Sequence, residues 1–234
     1  MARAALKFNW RDKMNMRRWW LLAAGLLVLG AWLAAGDIVE EATGQKFAAE
    51  RQVQAAGKTY DLACTGTGVR KKFVIKVYAL GFYVDNEYRH KLADQWRPKV
   101  PKAADLGENE AFLQALVKDA YCRQFEMKFV REVEAEKIRG AFLEGIEDNL
   151  PQMKKMPELA AAAKKFVGWF QSTVAEGDRL VITILPDGTV EAFHNDKQLG
   201  TLQDAVLAQG ITGIWLGKEC ISEDLRSGVV GKFY

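Results

Sequence analysis

The side chains able to do chemistry are few and scattered. Gly66-Thr67-Gly68 is a glycine pair that could cradle a phosphate, but it leads into a strand-like run, and such a turn needs a helix N-terminus behind it. At a strand, a glycine pair implies a bulge or the close approach of another backbone. The two histidines, His90 and His194, belong to no H-E-x-x-H pattern, which argues against a zinc enzyme. Ser172, Ser222 and Ser227 lack the G-x-S-x-G elbow of a serine hydrolase. Three cysteines, Cys64, Cys122 and Cys220, lie far apart with no C-x-x-C, so a zinc ribbon or thioredoxin-like site is excluded. Two of them could pair in an exported chain, or all could be free thiols. Carboxylates such as Glu144 and Glu147 read as a solvated helix face. No catalytic residue, metal ligand or cofactor follows from these patterns.

The elements around these residues can be read from periodicity and turn chemistry. Arg51–Ala55, Ala56-Gly57 and Lys58–Cys64 form a hairpin pattern. Phe73–Val84 is the strongest strand, rich in β-branched and aromatic residues and apolar on both faces, so it should be central and covered on each side. Residues 87–107 are polar and read as irregular, Glu108–Ala120 as helical, and Gln124–Val133 as a strand. Ala135–Asp148 is an amphipathic helix, with Ile138, Phe142 and Ile146 on one stripe. A second helix is expected over Glu158–Ala175, with Pro157 opening it. Arg179–Leu185 and Thr189–His194 flank Pro186-Asp187-Gly188, a strong turn. A short strand begins at Gln198, Asp204–Trp215 reads as helical, and Ser222 caps a last short helix. Strands, helices, strands and helices in blocks, with no βαβ alternation, imply an α+β fold with an antiparallel sheet covered on one face by helices.

The chain has 234 residues, 49% of them hydrophobic and 27% charged, the balance of an ordinary folded protein. Its net charge of +3 comes from 33 basic and 30 acidic side chains. Residues 1–36 hold six of the basic ones against Asp12 alone, which leaves 27 basic and 29 acidic for the remainder. A near-neutral body argues against nucleic acid as a partner. After the basic stretch comes Trp19–Ala35, 17 residues without charge. Basic, then apolar, then small residues at Ala34 and Gly36 describe a secretory signal cleaved before Asp37, or, at this length, a retained membrane anchor. The expected organisation is a signal peptide or anchor over 1–36 and one domain over 37–234, exported to the periplasm or beyond. Membrane contact is expected only through the N-terminal segment.

Several stretches together resemble the chalcone isomerase-like superfamily: GTGVRKKFVIKVYALGFYV (66–84), FVREVEAEKIRGAFLEGI (129–146), ITGIWLGKECISEDL (211–225), the Pro186–Thr189 hairpin and Leu199-Gly200-Thr201. The resemblance spans about residues 40–231, with 87–110 resembling an insertion. It implies an open-faced β-sandwich, a large antiparallel sheet under a layer of helices. In the plant isomerases an Arg follows the G-x-G-V stretch, here Arg70. A catalytic Thr precedes the A-x-G-x-Y stretch, and here that position is Tyr78. The fatty-acid-binding branch also has Tyr there, and its Arg and Tyr hold the ligand carboxylate. Two further isomerase positions, a Tyr and an Asn, fall near Glu134 and Ala141, and neither matches. Ile214 and Trp215 fall on the pocket wall.

The resemblance therefore implies an exported, non-catalytic protein that binds a fatty acid or similar apolar acid through Arg70 and Tyr78, with no cofactor. The alternatives are an isomerase or lyase using the same cleft and a structural or partner-binding protein without ligand. A cavity beside Arg70 and Tyr78 separates the first reading from the structural one, and turnover separates it from the isomerase; the binding reading also carries a geometric condition. On an unbroken strand, Arg70 and Tyr78 share a face but stand ~26 Å apart, so they meet one headgroup only if the chain folds back between them. Lys71-Lys72 is poor turn chemistry. Without a reversal, Arg70 is a solvated or ion-paired strand arginine and Tyr78 a core aromatic with a satisfied hydroxyl.

Overall fold

The computed structural model describes residues 36–55 and 57–234, and the expected signal or anchor over Trp19–Ala35 lies outside them. The described chain begins with a two-stranded ribbon, β1 (Asp37–Val39) and β2 (Lys46–Ala48). Seven strands then lie across one antiparallel sheet in strict chain order: β3 (Glu50–Ala55), β4 (Lys58–Lys72), β5 (Ile75–Asp85), β6 (Arg123–Phe129), β7 (Arg179–Ile184), β8 (Thr189–His194) and β9 (Lys197–Gln203). Asn195 and Asp196, between β8 and β9, take the left-handed conformations that a two-residue hairpin turn demands. The helices are α1 (Asn86–Trp96), α2 (Glu110–Lys118), α3 (Ala135–Asn149), α4 (Pro157–Val167), α5 (Ala205–Leu216) and α6 (Glu223–Val230). The fold is the α+β arrangement expected, with the main core between sheet and helices.

Alternation along β5 explains why this strand is apolar on both faces. Leu80, Phe82 and Val84 enter the core under the helices, while Ala79 and Tyr83 join a second cluster on the opposite face. That second cluster is closed by Phe47 of β2, which is fully buried. A Cβ at Gly81 would stand 2.5 Å from the Phe47 ring, so the glycine is the seat on which the ribbon rests. The sheet is strongly curled. Arg51 of β3 donates to Gln124 of β6 at 2.7 Å and pairs with Glu126. In a flat sheet these strands would be three spacings, ~14 Å, apart.

On the helix face, α5 is buried on nearly all sides, as its uniformly apolar sequence requires. The helix α6 lies over β4 where the glycine pair makes room. A Cβ at Gly66 would stand 2.2 Å from the Gly228 carbonyl oxygen, and one at Gly68 2.9 Å from that of Leu225. A bulge falls between Cys64 and Gly66, so the sequence expectation of a bulge or close backbone approach holds on both counts.

Several boundaries differ from the sequence reading: β4 runs to Lys72 rather than Cys64, and β6 ends at Phe129 rather than Val133. Residues 87–107 are not irregular: they form α1 and a 3-10 helix over Ala103–Glu108. The Asp85 side chain caps α1 by accepting from the Tyr88 N–H, and Leu92, Ala93 and Trp96 bury its inner face. The helix opened by Pro157 stops at Val167 rather than Ala175, with Gly168 as its C-cap. The strand begins at Ile75, and Phe73 adopts φ 56°, inside a turn.

Candidate functional site

The turn at Phe73-Val74 supplies the reversal that Lys71-Lys72 did not suggest. It makes Arg70 of β4 and Tyr78 of β5 direct cross-strand partners. Partners in such a ladder hold their Cβ atoms about 4.5–5.5 Å apart. The pairs Gly68 with Leu80 and Gly66 with Phe82 continue the same face, so both side chains point to the helix layer. Arg70 pairs with Tyr78 and Lys71 with Lys76, which leaves Val77 as the extra residue of a bulge beside them.

Tyr78 is buried, and its hydroxyl accepts a hydrogen bond from Trp215 Nε1 at 3.1 Å. Trp215 is itself fixed by stacking on Phe125 and by an edge contact with Phe142. Burial pushes the Tyr78 hydroxyl up to about 12, against the smaller opposing pulls of the Trp215 bond and the Arg70 charge. The phenol is therefore a neutral donor at physiological pH, and no acceptor for its proton stands among the described residues. Arg70 is half-buried and donates from Nη1 to the Ile221 carbonyl at 2.8 Å. Among the described residues no carboxylate pairs with it.

Both residues line a cleft of about 1240 Å³. Its inner wall is apolar: Met127 and Phe129 from β6, Ile138 and Phe142 from α3, Ile214 and Trp215 from α5. One lip is the β4–β5 hairpin, with Lys72, Phe73, Ile75 and Lys76, and the other is α3, with Glu134, Lys137, Ala141, Glu144 and Asp148. The structure thus brings all four residues singled out in the sequence, Arg70, Tyr78, Ile214 and Trp215, to one cavity. It also brings there Glu134 and Ala141, near which the resemblance puts the Tyr and Asn of the plant isomerases. Ala141 offers no polar group, and Glu134 is an exposed carboxylate paired with Lys137 at 3.0 Å. Neither can donate to a developing oxyanion.

Sequence reasoning missed Phe129 and Phe142 as cleft wall. Their signal was visible as a β alternation over 125, 127 and 129 and as the apolar stripe of α3, but such stripes do not say which core positions border a cavity. Of the two alternatives left open for the cysteines, the structure has the second: Cys64, Cys122 and Cys220 are all free thiols. Among the described residues no cluster of metal-binding side chains occurs.

The volume exceeds the roughly 300–1,000 Å³ of ordinary small-molecule sites. A guanidinium with uncommitted N–H groups beside a neutral phenol is suited to a carboxylate.

Comparison with known proteins bears on both the fold and the cleft. The chain is similar to the crystal structure of a fatty-acid binding protein from Arabidopsis thaliana, with a TM-score of 0.67, 19% identity, and coverage of 85% of this chain and 97% of that one. At that identity the likeness establishes the fold. No curated protein sequence matches. A family model described as chalcone isomerase-like matches residues 106–231, the part that runs from the end of the 3-10 helix through α6. It includes the cleft walls of β6, α3 and α5, while Arg70 and Tyr78 precede it. More than half of the sequence is matched in this way, and the chain belongs to the chalcone isomerase-like family.

Proposed function

We propose that this protein binds a fatty acid or similar apolar carboxylic acid, with the carboxylate on Arg70 and Tyr78 and the tail along Phe129, Phe142 and Trp215. The observation that carries the reading is the cross-strand pairing of Arg70 with Tyr78 at an apolar cleft. The fold shared with a fatty-acid binding protein supports it. Trp215 occupies a lone pair of the Tyr78 oxygen and so leaves the hydroxyl proton to face a ligand. The protein works as a carrier or buffer of its ligand rather than as an isomerase, because Glu134 and Ala141 supply no donor to an oxyanion. Residues 1–36 direct it out of the cytoplasm.

A hydrogen bond to a charged group is worth about 1.5–3 kcal/mol, so Arg70→Ala weakens binding about 10–150-fold. Arg70→Lys keeps the charge without the planar fork and restores part of that loss. Calorimetric titration of delipidated protein with medium- and long-chain fatty acids is the test. Equal affinity of wild type, Arg70→Ala and Tyr78→Phe places the site elsewhere, and no binding by any of them ends the carrier reading. For the location, N-terminal sequencing of protein from its own host should begin near Asp37. A soluble form that retains Met1 overturns export.

A further inference from the structure

The hairpin that pairs Arg70 with Tyr78 also carries the most exposed apolar residues described. Phe73 and Val74 are 90% and 91% exposed, and Ile75 beside them is 48% exposed. A turn of this kind is ordinarily built from Asn, Asp or Gly. Here Phe73 takes the left-handed conformation instead, which is costly for a bulky side chain. The three apolar residues are bracketed by Lys71, Lys72 and Lys76, all exposed. Lys71 and Lys76 are direct cross-strand partners, an arrangement of like charges that is unfavourable in water. Lys76 reaches the Ala42 carbonyl, and Lys71 and Lys72 stand exposed beside the tip. From Val69 to Val84 the sequence holds no acidic residue.

An apolar tip collared by lysines is the chemistry that enters an anionic lipid surface: the aromatic and aliphatic side chains reach the acyl boundary while the ammonium groups meet lipid phosphates. The opposite lip of the cleft has the contrary balance, with Glu132, Glu134, Glu144 and Asp148 against Arg131 and Lys137. The charge asymmetry therefore orients the hairpin lip, and not the helix lip, toward such a surface. We propose that the Lys71–Lys76 hairpin docks this protein on an anionic bilayer and holds the mouth of the cleft at the lipid boundary. An acid could then pass between bilayer and cleft without crossing water. The docking stands on the hairpin alone; the transfer rests on the acid-binding reading of the cleft. It adds a second membrane contact to the one expected from residues 1–36.

The test reads the tip locally, because residues 19–35 can hold the full chain on any bilayer. Full-length protein with Cys220→Ser and Phe73→Cys is labelled at position 73 with an environment-sensitive fluorophore. It is then mixed with phosphatidylcholine vesicles that contain or lack phosphatidylglycerol. Position 73 is at the tip and 90% exposed, so the substitution leaves the core untouched. Docking gives a blue-shifted emission, quenched by brominated acyl chains, with the phosphatidylglycerol vesicles. Both signals fall with added salt. Lys71→Gln with Lys72→Gln reduces the docked fraction, by about fivefold in partitioning per lysine. A probe that stays water-like on both vesicle types overturns the proposal. So does a blue shift that grows with protein concentration in the absence of vesicles, which would mean that the tip packs against another protein molecule. The calorimetric titration of Arg70→Ala involves no vesicle, so either reading can fail without the other.

Discussion

Tyr78 joins stability to recognition. Its oxygen is the acceptor for a buried indole N–H, so Tyr78→Phe leaves Trp215 Nε1 without a partner and costs about 1–3 kcal/mol. Trp215→Phe removes the orphaned donor, so the double variant is less destabilised than the sum of the two single ones. Urea denaturation of the four proteins checks this, and strict additivity would contradict the hydrogen bond. The same hydroxyl is held near 12, above its ordinary 10. Below pH 10 it is protonated whether the chain is folded or unfolded, and its contribution is intact. As pH rises from 10 toward 12 the unfolded chain ionises first, and stability is lost. Tyr83, Tyr88 and Tyr121 are raised in the same direction by burial. Stability measured against pH should fall steeply above pH 10, and less steeply in Tyr78→Phe. The buried thiols behave alike: burial raises Cys64 to about 11 and Cys122 to about 12, so in the native protein only Cys220 should react readily with a thiol reagent at neutral pH.

At the scale of elements, Gly81 makes the β1–β2 ribbon part of the fold. Gly81→Val drives a branched side chain into the Phe47 ring, an overpacking that costs about 1–3 kcal/mol. Combining it with Phe47→Ala should recover part of the loss, read as a shift in denaturation midpoint. If Gly81→Val is neutral, the ribbon does not rest there. This contact marks where the sequence stops being informative. The two-sided apolar pattern of β5 did announce covers on both faces, and the glycine pair at Gly66 and Gly68 announced a close neighbour. Neither said that the neighbours would be Phe47 and α6, because a missing side chain records only that something approaches. α1 escaped notice because its buried face is only Leu92, Ala93 and Trp96 among charged residues, too sparse for a periodic signal. Its cap, Asp85, looked like the end of a strand. The cleft followed the same rule. Arg70, Tyr78, Ile214 and Trp215 were identifiable by resemblance, but their meeting depended on a reversal at Phe73-Val74, residues whose own preferences favour a strand.

At the scale of the whole molecule, the curl of the sheet is latched from its far side by one buried carboxylate. Glu126 is 1% exposed and pairs with Arg51 of β3 and Arg179 of β7, with the Tyr83 hydroxyl donating to it at 3.2 Å. Glu126→Ala removes the shared counter-charge of two guanidinium groups. Both retain some contact with solvent, which moderates the cost to about 3 kcal/mol, measurable by chemical denaturation. Glu126→Gln keeps the shape and some hydrogen bonds, and should fall between wild type and Ala. A variant of either kind as stable as wild type would mean that the curl is held by packing alone.

The seating of α6 on Gly66 and Gly68 has a consequence for how the chain is made. The Lys232 N–H also donates to the Thr65 carbonyl at 2.8 Å, so residues 222–234 close over a strand synthesised some 160 residues earlier. Until that segment has left the ribosome, β4 and the apolar side chains under it lack their cover, and the nascent chain has no finished core. Truncation before Ser222 should leave β4 permanently without that cover, read as a raised susceptibility to proteolysis.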